Sequence, residues 1–157
     1  MDAQSEKVLA QIIRGARIAS LGTLRDAAPQ VSMAAFIYNS DFSAFYIFVS
    51  RLAQHTVDMQ KDNRVSFMLC ETDDGRADPH TLARVSIRGK AEMIQTGEPG
   101  YMPLKEQYLA RFPESAQLFS LSDFNFWRIT PKGGRYVAGF AKAFNITAET
   151  LQKVSER

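Results

Sequence analysis

Between residues 18 and 49, three runs rich in β-branched and aromatic side chains are separated by turns too short to hold a helix. Ile18–Leu24 leads into Asp26-Ala27-Ala28-Pro29, Gln30–Tyr38 leads into Asn39-Ser40-Asp41, and Ala44–Val49 completes the set. Strands joined this closely pair antiparallel, because a parallel crossover takes roughly a dozen residues or more. The residue types are those that fit a pleated, half-buried surface. A chain that begins in this way is set towards a meander or barrel rather than an alternating strand–helix sheet.

The rest of the sequence extends that pattern. Arg64–Cys70 and Leu82–Gln95 read as further strands, with Gly89 marking a bulge in the second. Asp123–Ile129 and Arg135–Phe144 read as the last two strands. Gly133-Gly134 between them suits a type I′ hairpin turn, in which both central residues need positive φ. Helical spacing appears over Ser5–Arg17, where Val8, Leu9, Ile12 and Ile13 form one apolar stripe, and over Ser50–Lys61 and Leu104–Phe112. Thr147 can cap a short final helix. The expected fold is mainly β, a six-stranded antiparallel barrel with peripheral helices. It forms one domain over residues 1–157: a first helix at 5–17, the barrel at about 18–145 and a last helix at 147–154.

Charge and cysteine content narrow the function. The net charge is +2, with basic residues scattered along the chain, which argues against nucleic acid or an anionic membrane as partner. The single cysteine, Cys70, lies in an apolar run and reads as a strand residue. No intramolecular disulfide can form, as suits a reducing compartment. The first residues lack a charged segment followed by an apolar one, and Asn39-Ser40-Asp41 breaks the most apolar region, so a cytoplasmic protein is expected. Two distant histidines and one cysteine make no metal site.

The stretch with most chemical content is Phe48-Val49-Ser50-Arg51-Leu52-Ala53-Gln54-His55-Thr56, where an apolar strand runs directly into a helix. The first turn of a helix carries unpaired N–H groups and partial positive charge, which favour an anion. Ser50, Arg51, His55 and Thr56 add donors at the same end, so the segment can cradle a phosphate. The alternative is that Ser50 is only a helix cap and Arg51 a solvated surface residue.

Leu21-Gly22-Thr23-Leu24, Pro29-Gln30-Val31-Ser32 and the Ser50–Thr56 segment, taken in order, resemble the FMN-binding split barrel of the pyridoxamine 5'-phosphate oxidase-like proteins. Arg84-Val85-Ser86-Ile87-Arg88-Gly89-Lys90-Ala91-Glu92 resembles the family strand ending in Gly-Lys-Ala-Glu. Asp123-Phe124, Pro131, Arg135-Tyr136-Val137 and Gly139-Phe140 resemble the closing hairpin of the haem-utilisation (HugZ-like) branch. The resemblance covers roughly Arg17 to Asn145.

It implies FMN as cofactor, bound between the subunits of a homodimer, and redox chemistry on a small molecule. Ser50, Arg51, His55 and Thr56 would hold the phosphate. Gln30, Val31, Ser32 and Met33 would run under the isoalloxazine edge, and Arg84 would lie near the ring. Arg135 and Tyr136 would reach the flavin from the partner subunit, and Tyr108 and Arg111 would be substrate contacts.

The chain departs from the true oxidases: Ala34, Ala35 and Phe36 stand where the substrate-binding lysine falls, and Val137 stands near the place of the stacking Trp. Two other readings remain beside the flavoenzyme. One is a haem-binding or haem-degrading protein, although residues 145–157 offer no His, Cys, Met or Tyr as axial ligand. The other is a non-catalytic flavin-binding module.

Overall fold

A computed structural model describes residues 1–157. Its strands are β1 (Ile18–Arg25), β2 (Ala28–Tyr38), β3 (Phe45–Ser50), β4 (Arg64–Cys70), β5 (Arg84–Ile94), β6 (Phe124–Val137) and β7 (Ala143–Ile146). Its helices are α1 (Ala3–Gly15), α2 (Gln54–Lys61), α3 (Tyr101–Arg111) and α4 (Ala148–Val154). The sheet runs β3-β2-β1-β4-β5-β6-β7, and β3 also pairs with β6. The first six strands therefore close an antiparallel barrel, as the turn spacing predicts, and β7 adds a short flap to the far end of β6.

Period-two burial explains the closure. Ala19, Leu21 and Thr23 of β1 and Val65, Phe67 and Leu69 of β4 point inward, while their neighbours face out. The interior is filled by aromatic and branched side chains; the rings of Phe45 and Phe67 lie 4.8 Å apart. Strand β3 departs from the alternation, with five successive buried residues. Its second face is covered by α3 and by a 3-10 segment at Pro113–Ser120, where Phe48 stacks on Phe119 at 4.1 Å. Helices α1 and α4 close one end through Leu9, Ile13, Leu151 and Val154.

Two features differ from the sequence expectation. Gly133-Gly134 forms no hairpin turn: β6 runs unbroken through both residues, and the turn falls at residues 138–142. The need for glycine is steric, since a Cβ on Gly134 would lie 2.1 Å from the Ser86 carbonyl oxygen, and one on Gly89 2.6 Å from that of Thr130. The two strands approach closely where their register shifts at Arg88/Gly89, the bulge expected at Gly89. The second difference is that α3 begins three residues earlier than its apolar spacing indicates. Pro103 is tolerated there because first-turn amides have no helical acceptor.

Candidate active site

Strand β2 changes partner along its length. Residues 28–35 bond to β1, whereas β3 joins β2 only at Phe36–Tyr38. The barrel is thus split along the first half of β2, and every second backbone group of Gln30–Met33 faces an open edge. Along this half the side chains alternate: Val31 and Met33 are exposed, while Gln30 and Ser32 are half-buried.

The start of α2 stands beside this edge. Ser32 Oγ lies 3.1 Å from His55 Nδ1, which fixes strand and helix relative to one another. Residue Ala53 occupies the N-cap of α2 and supplies no side-chain cap. Consequently the backbone amides of Gln54 and His55 have no acceptor within the chain. His55 Nε2 is shielded and also without a partner. Burial lowers the His55 pKa, opposed by the charge of Asp58, so the imidazole is held neutral at neutral pH. The start of α2 thus carries two unpaired amides at a positive helix end, an unpartnered imidazole nitrogen and, three residues before the helix, the exposed Arg51.

Ser50 and Thr56 are committed elsewhere. Ser50 Oγ donates to Asp123 Oδ2 at 2.5 Å and accepts from the Leu52 amide; the Arg51 amide donates to the Asp123 carbonyl. Thr56, fully buried, donates through Oγ1 to the Ser50 carbonyl at 2.7 Å. These contacts fix the shape of the turn, so its free anion donors are the amides, His55 and Arg51. Asp123 gives no sign of this role in sequence; only the pairing of Ser50 with Phe124 across β3 and β6 brings it close.

Asp58 is a second residue that sequence reading passes over. Its buried carboxylate accepts from Thr23 Oγ1 at 3.0 Å, from Arg25 Nε at 3.0 Å and from Gln54 Nε2 at 3.3 Å. The Arg25 guanidinium holds its pKa down to about 2, with help from Gln54 and Thr23. The network clamps α2 onto β1 one turn below His55.

The remaining sequence candidates lie apart from this edge in the single chain. Arg84 turns back on its own loop, donating to the carbonyls of His80 and Leu82. Arg135 is exposed and bonds Asn145. Tyr136 is fully buried and donates to the Ser5 carbonyl at 3.0 Å, so in the single chain it is a core residue. Tyr108 packs among Phe48, Phe112, Phe119 and Phe126, where burial raises its pKa. Arg111 lies over the rings of Tyr38, Phe36 and Phe112 and donates to the carbonyls of Ala16 and Arg14. In the single chain both hold α3 to the barrel.

Residues 5–138 match the family described as Pyridoxamine 5'-phosphate oxidase. The chain belongs to that family. As a member of the pyridoxamine 5'-phosphate oxidase family it is also similar to haem oxygenase HutZ of Vibrio cholerae, 26% identical over 124 residues that make up 78% of this chain and 69% of HutZ. It is 33% identical over 116 residues to the chloroplastic haem oxygenase HOZ of Arabidopsis thaliana. Those residues are 74% of this chain and 34% of HOZ, so the chain spans about a third of that relative. The solved haem-binding protein from Mycobacterium smegmatis shares the fold, with a TM-score of 0.83 at 21% identity over 98% of this chain and 62% of that one. No helix of the protein is long and apolar enough to cross a membrane.

Proposed function

We propose that this protein binds FMN at the split between β2 and α2 and uses it in redox chemistry on a small molecule. The observation that carries the reading is the pair of unpaired amides at Gln54 and His55, with the unpartnered His55 Nε2 beside them. A phosphate would be held by these groups and by Arg51, and the polar rim of the isoalloxazine by the free backbone edge of Gln30–Met33. Bound flavin would supply the electron transfer; the chain's own residues bind, orient and shield it. Ser50 and Thr56 act by setting the turn, and Asp58 by fixing α2.

A homodimer belongs to the same proposal. Ile18, Met33 and Met68 are 54%, 64% and 41% exposed, and Met33 and Met68 both register with Ser20 across the outer face of β2-β1-β4. An apolar row of this kind is suited to a second copy. Arg84 and Arg135, both accessible at the barrel surface, are the residues proposed to approach the cofactor across that interface.

The test is titration of the purified protein with FMN and with riboflavin, followed by absorbance and fluorescence. FMN should bind at least about tenfold more tightly, the preference expected of one charge-assisted phosphate site, and Arg51→Glu should abolish the preference. Failure of either flavin to bind at micromolar concentration, or equal affinity for the two, overturns the reading.

A second reading is haem binding, favoured by the names of both relatives. Titration with haemin separates the two: a Soret shift in protein that ignores FMN would support haem in place of flavin.

A further inference from the structure

Buried polar atoms ordinarily find a partner, because an unmade hydrogen bond costs the full desolvation of the group. His55 keeps this rule at one nitrogen and breaks it at the other. Its Nδ1 lies 3.1 Å from Ser32 Oγ, whereas Nε2 is shielded from solvent and bonded to nothing in the chain. The second histidine is its opposite: His80 is exposed, with Nδ1 2.8 Å from Asp78 Oδ1.

A neutral imidazole has one N–H for two nitrogens, and a protonated one donates from both. The Ser32 hydroxyl can donate or accept, so its contact with Nδ1 serves either charge state. What the charged ring lacks is an anion at Nε2, and burial works against the charge. The charged groups around the ring do not supply that anion. Asp58, one turn along α2, favours the cation, but its carboxylate is taken up by Arg25 and Thr23 of β1 and by Gln54. Asp123, just before β6, accepts from Ser50. Arg51, in the turn before the helix, is itself a cation. The amides of Gln54 and His55 are unpaired as well, so the groups left over at the start of α2 are donors, which suit an anion.

We infer that His55 couples anion binding to protonation: its ring is neutral beforehand and takes up one proton from solvent when a phosphate monoester binds at the start of α2. The inference rests on the FMN reading above and adds its regulation by pH. A negative charge within about 4–6 Å raises an imidazole pKa by roughly 1–3 units. The ring is therefore more basic in the complex than in the free protein. The added affinity is complete below the free-protein pKa and is lost as pH rises through that of the complex. Between the two, FMN binding weakens by up to about tenfold per pH unit. Riboflavin, which has no phosphate, should show no such slope.

The chain holds only two histidines, so their charge can be read directly. The full chain, labelled with ¹⁵N in its imidazoles, is titrated with FMN and with riboflavin by NMR at about pH 7.5, one unit above the ordinary histidine pKa. His80→Gln leaves His55 as the sole signal and assigns it. With FMN, the His55 ring should move to the shifts of the doubly protonated form while His80 stays in place; riboflavin should move neither. In parallel, wild-type FMN affinity should fall at least about tenfold between about pH 6.5 and 8.5, above the second ionisation of the phosphate itself. His55→Gln, which keeps a donor and cannot titrate, should bind more weakly and without that slope. Bound FMN with His55 still neutral, or an equal slope in His55→Gln, would overturn the inference and leave the flavin reading standing. If His55→Gln binds no FMN, the wild-type ring signals decide alone. Absence of FMN binding to the wild type would remove both, and the unchanged flavin spectrum tells that outcome from the others.

Discussion

Tyr136→Phe tests the assignment of a residue that sequence resemblance puts at the cofactor and the structure puts in the core. At neutral pH the variant removes one buried hydrogen bond, spanning 131 residues of chain, from a Ser5 carbonyl that keeps its place in the α1 helix. Loss of one such bond costs about 0.5–1.5 kcal/mol. For a chain of this size that is a fall in Tm of roughly 2–4 °C per kcal/mol. At alkaline pH the two proteins converge. Burial, with smaller contributions from Glu71 and Asp2, pushes the phenol up to about 12 from its ordinary 10.0. Because the folded pKa is the higher one, the stabilisation is complete below the unfolded pKa and is lost as pH rises through the folded one. Two pH units correspond to about 2.7 kcal/mol at most, and nearer half that where water screens the ionised ring. The phenylalanine variant has no such loss. Urea unfolding of both proteins from pH 8 to 11.5 should show the wild-type advantage shrinking towards zero above about pH 10. A difference that stays flat over this range would refute the buried, bonded hydroxyl. A large fall in FMN affinity with unchanged stability would return Tyr136 to the cofactor.

Three further outcomes follow from the packing. Gly134→Ala forces a methyl onto the Ser86 carbonyl oxygen and should destabilise the fold by about 1–3 kcal/mol or more, read from the urea midpoint; a wild-type midpoint would mean that β5 and β6 separate there freely. Met33→Glu places a charge in the exposed apolar row and should move the gel-filtration peak from dimer to monomer; an unchanged peak would put the interface elsewhere. Asp58 has a folded pKa of about 2, below its ordinary 3.8, so its contribution is complete above the ordinary value and is lost as pH falls towards 2. Asp58→Asn should therefore flatten the acid limb of the stability profile and loosen FMN binding through α2, and an acid limb identical to wild type would remove Asp58 from that role.

The barrel was legible because its first strands are joined by turns whose length alone dictates antiparallel pairing. The Ser50–Thr56 segment was legible as a strand running into a helix. What sequence could not supply was anything decided by distant backbone. Gly133 and Gly134 carry the same letters as a turn, but the constraint on Gly134 is the Ser86 carbonyl on another strand. Ser50 and Thr56 look like free donors until Asp123 and the Ser50 carbonyl are seen to occupy them. Tyr108 and Arg111 have the chemistry of ligand contacts, and only the aromatic cluster around α3 shows that this chemistry is spent on packing.

The open half of β2 has a consequence for the life of the protein before it meets a ligand. A strand with one bare edge is a template for adding another strand, and such edges drive sheet-to-sheet aggregation when nothing covers them. Pro29 blunts the edge at one position only, by removing one donor. The empty protein should therefore be the form that precipitates on concentration or heating, and a molecule seated along Gln30–Met33 should act as a solubilising cap. Yield and shelf life in the presence of added cofactor would then report on occupancy of that edge without any assay of turnover.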